Sequence, residues 1–225
     1  MELFDISTET ILKSLWFACS SSSQTYERTK LSRQNPITHL WRIFTGKVGE
    51  LFFLEYLWKK GFIKDDEYAK LEENSLSVWW KKHNVDLCDI KIGNYLIDVK
   101  TLPESTHRYL IIPKDQYDNN PKDFYFCLIL FHNLSGEKVK EVFQLNCQLL
   151  YELIMFREKA EEFVKNKNLR VKIKICGFVE HKSRKWEFVS RDVICPEHPC
   201  YRILLNDLKP FDDFKKLIKK DILSF

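Results

Sequence analysis

The residues best placed to do chemistry are two aspartates and a lysine within the short stretch 85–101. Asp98 and Lys100 are two positions apart in Ile-Asp-Val-Lys, a pattern that is typical of a β-strand. Alternate side chains leave a strand from the same face, so we expect this carboxylate and this ammonium to share one side. Asp86 or Asp89 would meet the pair from a neighbouring strand. Two carboxylates beside a lysine suit Mg²⁺, which prefers oxygen ligands.

An ion held there would act on phosphate esters. A bound divalent cation polarises a phosphoryl oxygen and lowers the pKa of an attacking water. Lys100 would orient that water or stabilise the charge that grows in the transition state. We expect Mg²⁺, with Mn²⁺ as a substitute. Because Asp-x-Lys also occurs as an ordinary surface ion pair, the catalytic interpretation depends on residues elsewhere in the chain.

The length of a predicted hairpin loop decides which aspartate faces Asp98 and Lys100. Residues on either side of Gly-Asn at 93–94 are rich in β-branched, aromatic and aliphatic side chains, and Gly-Asn suits a tight turn. A three-residue loop places Asp86 opposite Lys100, whereas a two-residue loop places Asp89 opposite Asp98. We expect the three-residue loop and Asp86, with Asp89 as the alternative.

Another acidic residue stands at the start of a predicted helix, 46–61. Glu50 lies in its first turn, and Gly61 after two lysines is a typical C-terminal stop. Residues at helical spacing are mostly apolar, as expected for a helix with one buried face. They are Val48, Leu51, Phe52, Glu55 and Trp58.

Gly-Glu opening an amphipathic helix, followed some tens of residues later by an aspartate and an Ile-Asp-Val-Lys strand, resembles the PD-(D/E)xK superfamily of restriction-endonuclease-like nucleases. In this resemblance Glu50 matches the acidic residue of the helix, and Asp86 matches the first motif aspartate. Asp98 and Lys100 match the final acidic residue and the lysine. Val85 replaces the proline of the motif.

The resemblance covers roughly residues 40–130 and implies an α/β fold. The implied core is restriction-endonuclease-like, with a mixed central β-sheet flanked by helices. We expect a single domain over residues 1–225. Its core would lie at about 40–145, and a C-terminal portion at about 169–225 would pack on that core.

The implied activity is that of a metal-dependent DNA endonuclease. Glu50, Asp86 and Asp98 would hold one or two Mg²⁺ ions, and Lys100 would align the attacking water. Site-specific cleavage of double-stranded DNA by a homodimer is the commonest role for so compact a chain. Repair, recombination and defence nucleases fit the same residues, and RNA is the less favoured substrate. Relatives with a glutamine on the helix after the lysine strand make Gln116 a candidate accessory residue.

Hydrophobic spacing predicts the other elements. A helix over 7–19 is followed by a polar break at 20–23 and a solvated connector at 26–34. The near-continuous apolar run 123–131 is typical of a strand covered on both faces at the centre of a sheet. Further strands are expected at 139–145 and 169–176, and further helices at 149–165 and 211–225.

Basic residues provide candidate contacts to nucleic acid. Trp79 and Trp80 stand beside two lysines, and aromatic rings next to cations suit stacking on bases. Buried tryptophans and solvated lysines explain the same pattern. The candidates for nucleic-acid contacts are Arg42, Lys47, Lys81, Lys82, Lys182, Arg184 and Lys185.

Cys195, His198 and Cys200 fall within one turn-prone stretch and include ligand types that zinc accepts. Structural zinc needs four ligands, and the available fourth, Cys176 or His181, has no supporting spacing. A proline-ordered surface loop is therefore the favoured interpretation, and a zinc-stabilised regulatory protein is the weaker one.

Composition sets outer limits on the function. Among 225 residues, 36 Lys and Arg against 32 Asp and Glu give a net charge of +4, which is compatible with nucleic acid without requiring it. Seven cysteines in a chain without a secretory leader predict reduced thiols in the cytoplasm. No apolar run has transmembrane length, so no membrane partner is expected. The lack of a glycine-rich phosphate loop and of Gly-x-Ser-x-Gly disfavours nucleotide hydrolases and esterases.

The main functional alternative is a non-catalytic nucleic-acid-binding or interaction module of the same fold. It is motivated by the loose match at the first motif aspartate. This alternative predicts weak metal binding and no effect of Lys100→Ala.

Overall fold

The structure is a computed structural model that describes residues 2–29, 36–77, 89–104, 108–132, 157–166, 169–190 and 199–222. The fold is mixed α/β, and helices flank a curled, mixed β-sheet, as expected from the sequence. The chain forms two compact units, each made of two segments. Unit 1 contains Met1–Asn84 and Leu130–Lys174, and unit 2 contains Val85–Ile129 and Ile175–Phe225.

The described elements alternate between helices and short strands. The strands are β1 (Phe4–Asp5), β2 (Ile90–Ile92), β3 (Tyr95–Pro103), β4 (Tyr109–Pro113), β5 (Phe124–His132), β6 (Val171–Glu180), β7 (Glu187–Val189) and β8 (Cys200–Leu204). The helices are α1 (Thr8–Thr29), α2 (Pro36–Lys59), α3 (Asp65–Leu76), α4 (Lys114–Asn119), α5 (Arg157–Asn166) and α6 (Phe211–Ile222).

Unit 1 is mainly helical. Helix α1 packs against α2 and α5, and α2 also packs against α3. Strand β1 pairs antiparallel with the first part of β6, where Phe4 lies opposite Ile173. The Phe4 ring packs on α2, with centroid distances of 5.7 Å to Phe52 and 5.4 Å to Tyr56. Aromatic contacts therefore attach this edge strand to the helical layer.

Helix α1 is longer than predicted. It continues through the serines at 20–23 and ends at Thr29, so the predicted polar break is wrong and the predicted connector 26–34 begins as helix. A serine is accommodated inside a helix when its hydroxyl bonds to the carbonyl four residues earlier. Ser21 Oγ donates such a bond to Phe17 O at 2.6 Å.

Helix α2 begins at Pro36 rather than at residue 46. Proline is well tolerated in a first helical turn, where a backbone N–H has no intrahelical acceptor. The predicted C-terminal stop is confirmed, because Gly61 follows the helix with φ of 76°. This conformation lets the Phe62 N–H reach back to Leu57 O at 3.0 Å and close the last turn.

The sheet in unit 2 has the strand order β6-β5-β3-β2. Just after β6, the His181 N–H donates to Asp123 O, just before β5, at 3.1 Å, so these two strands run antiparallel. Near the start of β3, Leu96 O accepts from the Asp123 N–H at 2.9 Å, so β3 and β5 run parallel. The sheet is therefore mixed, and the prediction that the run 123–131 is a central strand is confirmed.

Both faces of β5 are covered within unit 2. Phe124 and Phe126 pack against Phe214 of α6, with ring centroids 5.2 and 4.9 Å apart. On the opposite face, Tyr125 and Cys127 join a buried cluster with a second, antiparallel sheet of order β4-β8-β7. The second sheet contributes Leu110, Ile112 and Ile203 to that cluster. Burial on both sides explains why β5 has almost no polar residues.

The remaining predictions are confirmed in part. Helix α6 is the predicted closing helix, and α5 lies at the end of the predicted helix 149–165, whose earlier part is outside the described residues. Strand β6 extends beyond the predicted 169–176. The predicted strand 139–145 is outside the described residues. Among the helices described, none has the length and apolar character needed to cross a bilayer.

Strand β6 passes through Gly177 in a conformation that favours glycine. Its φ is 142°, which L side chains rarely adopt. Phe178 and Lys209 exchange two backbone hydrogen bonds, at 2.9 and 2.8 Å, and this pairing brings the Lys209 carbonyl close. A Cβ at residue 177 would lie 2.4 Å from that oxygen. The backbone conformation of Gly177 and the closeness of the Lys209 carbonyl therefore both exclude a side chain at this position.

Gly177→Ala should lower the free energy of unfolding by about 3 kcal/mol, because the strained backbone and the fixed carbonyl both oppose a methyl group. Gly46→Ala is the matched control, since a Cβ at this position in α2 meets no atom within 4 Å. Alanine there should stabilise by about 0.5–1 kcal/mol. Urea unfolding measures both changes, and equal stabilities of the two variants would contradict the placement of Gly177.

Candidate active site

Asp98 and Lys100 form an ion pair on β3. Lys100 Nζ donates to Asp98 Oδ1 at 3.0 Å and lies 2.8 Å from Oδ2. Asp98 is only 9% exposed, so its charge is largely removed from water. Its Oδ2 is buried and accepts no hydrogen bond of good geometry from the part of the chain that the structure describes. The structure thus brings the predicted acid and lysine together, and within the described residues only the Lys100 ammonium is seen close to the buried Oδ2.

The hairpin that carries this pair is closed by a two-residue loop. Ile92 pairs with Tyr95, so only Gly93 and Asn94 form the turn. Gly93 has φ of 56°, which a tight two-residue turn requires of its first residue. The expected three-residue loop is therefore wrong.

This register places Asp89 opposite Asp98. The Asp89 N–H donates to Ile97 O at 3.0 Å, and Asp89 Oδ2 accepts from the Val99 N–H at 2.6 Å. The backbone of β3 therefore holds Asp89 on either side of Asp98, and the Val99 N–H orients its carboxylate. Asp86, which the three-residue loop favoured, lies outside the described residues. Among the described residues, Asp89 is the first aspartate of the candidate site.

Tyr125, on β5, is another polar side chain of unit 2 that is affected by the charge of Asp98. Its hydroxyl accepts from the Lys122 N–H at 3.2 Å and lies 3.4 Å from His181 Nδ1. Burial raises the pKa of Tyr125 to about 12; the bond from Lys122 opposes this rise, and the charge of Asp98 adds to it. The phenol is therefore neutral at physiological pH. Burial, together with the nearby charge of Lys182, lowers the pKa of His181 below its usual value.

Glu50 belongs to unit 1 and has an ion pair of its own. Lys47 Nζ lies 2.6 Å from Glu50 Oε2, 2.7 Å from Ser75 O and 3.2 Å from Ser75 Oγ. The same ammonium lies 4.2 Å from the centre of the Phe17 ring. Lys47 is buried, and its acceptors come from within unit 1. Lys47 thus has internal partners in unit 1, and its contact with nucleic acid stays a prediction.

The hairpin offers a metal two carboxylates rather than a complete set of protein ligands. Within the described ranges, no three or more histidine, cysteine, aspartate or glutamate side chains are grouped to hold a metal ion. Mg²⁺ often binds through only one or two carboxylates and completes its shell with water and phosphate oxygens. The buried Oδ2 of Asp98 fits this requirement, since a dehydrated anionic oxygen is stabilised by a cation. Asp89 and Asp98 are therefore the described residues that suit Mg²⁺.

The other described candidates lie on exposed positions. Arg42 is exposed on α2, and Gln116 is exposed on α4. Lys182, Arg184 and Lys185 are exposed in the turn between β6 and β7. The Lys185 ammonium donates at 2.9 Å to a backbone carbonyl in the 3₁₀ turn after β8. Contacts of these side chains with phosphate stay predictions.

The proposed zinc ligands do not lie on one described loop. Cys200 is fully buried in β8, opposite Val189 of β7 and Pro113 of β4, so the predicted surface loop does not extend to it. Cys195 and His198 lie outside the described residues, as do Lys81, Lys82, Trp79 and Trp80.

Sequence reasoning missed a cluster of rings beside Tyr125. The Tyr117 ring lies 4.1 Å from the rings of His181 and Tyr201 and 5.4 Å from that of Trp186, measured between centroids. The Tyr117 hydroxyl also donates to His181 O. These rings come from α4, β8 and the turn after β6, so no local spacing in the sequence indicates that they meet.

No family model, curated protein or solved structure matches the chain. The interpretation of the site therefore depends on side-chain geometry and on the motif resemblance.

Asp98→Asn should lower the pKa of Tyr125, because it removes a negative charge that disfavours tyrosinate. Folding raises this pKa from 10.0 to about 12, so the stability contributed by the neutral phenol is present below pH 10 and is lost as the pH rises towards 12. Alkaline NMR titration of protein labelled at the tyrosine Cζ measures the change directly. Asp118→Asn is the control, since Asp118 acts on Tyr117. An unchanged Tyr125 pKa in Asp98→Asn would mean that the two side chains are not neighbours.

Proposed function

We propose that this chain is a metal-dependent nuclease of the PD-(D/E)xK superfamily that hydrolyses phosphodiester bonds in DNA. The observation that supports this most is the buried carboxylate of Asp98, which is paired with Lys100 and whose Oδ2, 2.8 Å from the ammonium, accepts no hydrogen bond of good geometry in the described part of the chain. An ordinary surface pair would have both oxygens in water. The pair also lies on a hairpin beside the central strand β5, as the motif resemblance leads us to expect.

Asp98 and Asp89 would hold the metal, with Mg²⁺ as the expected ion and Mn²⁺ as its substitute. The chemistry that such an ion supplies when bound is polarisation of a phosphoryl oxygen and activation of water. Asp89 Oδ2 is fixed by the Val99 N–H at 2.6 Å, so its carboxylate needs little reorganisation to act as a ligand.

Lys100 would act on the substrate directly. Its ammonium is held 3.0 Å from Asp98 Oδ1, where it can orient a water or neutralise charge on a phosphate oxygen. Tyr125 remains an uncharged phenol beside Asp98, so it adds no second negative charge next to the anionic substrate. In this proposal the two aspartates bind the metal, Lys100 stabilises charge on the substrate, and Tyr125 stays neutral.

The motif resemblance supplies the rest of the proposal. It adds Glu50 and Asp86 as further acidic ligands, DNA as the substrate and a homodimer as the expected assembly. Restriction-like, repair and defence roles remain alternatives within this proposal, as does cleavage of RNA. Exposed Lys182 and Arg184 would contact the phosphate backbone, which positions a nucleic acid without reading its sequence.

A non-catalytic nucleic-acid-binding module of the same fold is the second candidate. It is favoured by one observation: within the described ranges, no third acidic side chain is grouped with the hairpin aspartates. In that case the ion pair of Asp98 and Lys100 would only stabilise the sheet and would have no catalytic role.

Wild-type protein should cut supercoiled plasmid in the presence of Mg²⁺, and a chelator should stop it. Asp98→Asn and Lys100→Met should each reduce the rate by about 100-fold or more, because each removes a charge that acts on the reacting phosphate. Asp118→Asn, an exposed carboxylate on α4, is the matched control and should cut normally. Sequencing the ends separates specific from nonspecific cleavage.

The same assay separates the alternatives. Cutting by Asp98→Asn at the wild-type rate would remove this active site. DNA binding without cleavage in Mg²⁺ or Mn²⁺ would favour the binding module. For Glu50, the comparison is between Glu50→Gln and Lys47→Met, which both break the same ion pair. If only Glu50→Gln loses cleavage, Glu50 is a metal ligand. If both variants lose cleavage equally, Glu50 acts by stabilising the fold of unit 1.

A further inference from the structure

Two thiols meet in the core of unit 2. Cys127 is fully buried in the cluster that also contains Tyr125, and the half-buried Cys176 packs against that cluster. They lie on the neighbouring antiparallel strands β5 and β6. The hydrogen bond between the His181 N–H and Asp123 O gives a starting point for counting along the two strands. Cys127 lies four residues after Asp123 in β5, and Cys176 lies five residues before His181 in β6. Cys127 therefore lies opposite Gly177, and Cys176 is the residue next to Gly177 in β6.

The backbone at Gly177 turns Cys176 towards Cys127. Strict alternation would place Cys176 on the same face of β6 as Phe178, which packs against Phe214 of α6. Cys176 instead packs with the cluster on the opposite face, together with Val179. The φ of 142° at Gly177 breaks the alternation between them, as a bulge residue does.

We propose that Cys127 and Cys176 form a reversible thiol–disulfide site that is oxidised by peroxides. Cys176 is the accessible thiol and attacks first; the O–O bond breaks, Cys176 becomes a sulfenic acid and one water leaves. The Cys127 thiol then attacks the Cys176 sulfur, the S–S bond forms, the S–O bond breaks and the Cys127 proton leaves in a second water. In total two thiols lose two electrons and two protons, and one peroxide is reduced to two waters.

The surroundings of Cys127 fix the order of these steps. Its hydrogen bond with Cys176 and its burial raise the pKa of the Cys127 thiol well above the usual value. The thiolate is the form that reacts with peroxide, so Cys127 is protected from direct oxidation. It becomes reactive only towards the adjacent oxidised sulfur. This site is independent of the proposed hydrolysis, because it involves neither hairpin aspartate.

Native wild-type protein is treated with hydrogen peroxide, remaining thiols are blocked with N-ethylmaleimide, and the digest is mapped by mass spectrometry without reductant. A peptide pair linked through Cys127 and Cys176 should appear and should disappear after treatment with dithiothreitol. Cys176→Ser should abolish it. Cys19→Ser is the matched control, since Cys19 is also half-buried but lies on α1, and the link should form normally.

Three results would overturn the proposal. They are oxidation of Cys176 to sulfinic acid with no linked peptide, a link that forms only in denaturant, and no reaction at Cys176 at all. The wild-type experiment decides between these without any variant, and Cys176→Ala replaces Cys176→Ser if the serine variant fails to fold.

Discussion

Burial of β5 on both faces is the constraint on which the rest of unit 2 depends. Phe124 and Phe126 face α6, whereas Tyr125 and Cys127 face the second sheet, so this strand has no side in water. Removal of apolar surface from water supplies the driving force, and both covering layers are needed to complete it. The neighbouring strand β3 is consequently drawn into the same dehydrated surroundings. Asp98, on β3, then has to be accommodated as a nearly buried charge.

A buried carboxylate is costly unless it is paired, and pairing seldom repays the whole cost of dehydration. Apolar residues of similar volume would often stabilise such a position as well or better. Lys100 neutralises Asp98, with its hydrogen bond to Oδ1, whereas the buried Oδ2 lies 2.8 Å from the ammonium and accepts no hydrogen bond of good geometry in the described part of the chain. Packing alone therefore gives no reason for an aspartate here. The cation binding proposed above would give such a reason.

Some features could be predicted from the sequence because the residues that determine them lie next to one another in the chain. The apolar run of β5, the glycine stop after α2 at Gly61 and the Gly-Asn turn of the hairpin are of this kind. Other features depend on partners far away in the chain. The choice between Asp86 and Asp89 turned on one loop residue, since a shift in register changes every cross-strand neighbour. The burial of Lys47 depends on Ser75 and on a ring of α1, and the meeting of Cys127 with Cys176 depends on the pairing of β5 with β6. No local spacing contains that information.

Two lysine–acid pairs, one in each unit, show why geometry separates structure from function where residue type does not. Both pairs join a lysine to an acid close in sequence, and both are largely buried. In unit 1 the Lys47 ammonium has Glu50, two oxygens of Ser75 and an aromatic face, so the pair is saturated by its own surroundings. Such a pair is explained by the fold, because every strong interaction of the ammonium is already made. In the pair of Asp98 and Lys100, Asp98 Oδ2 lies 2.8 Å from the ammonium but accepts no hydrogen bond of good geometry in the described part of the chain, so this pair is less completely satisfied by its own surroundings.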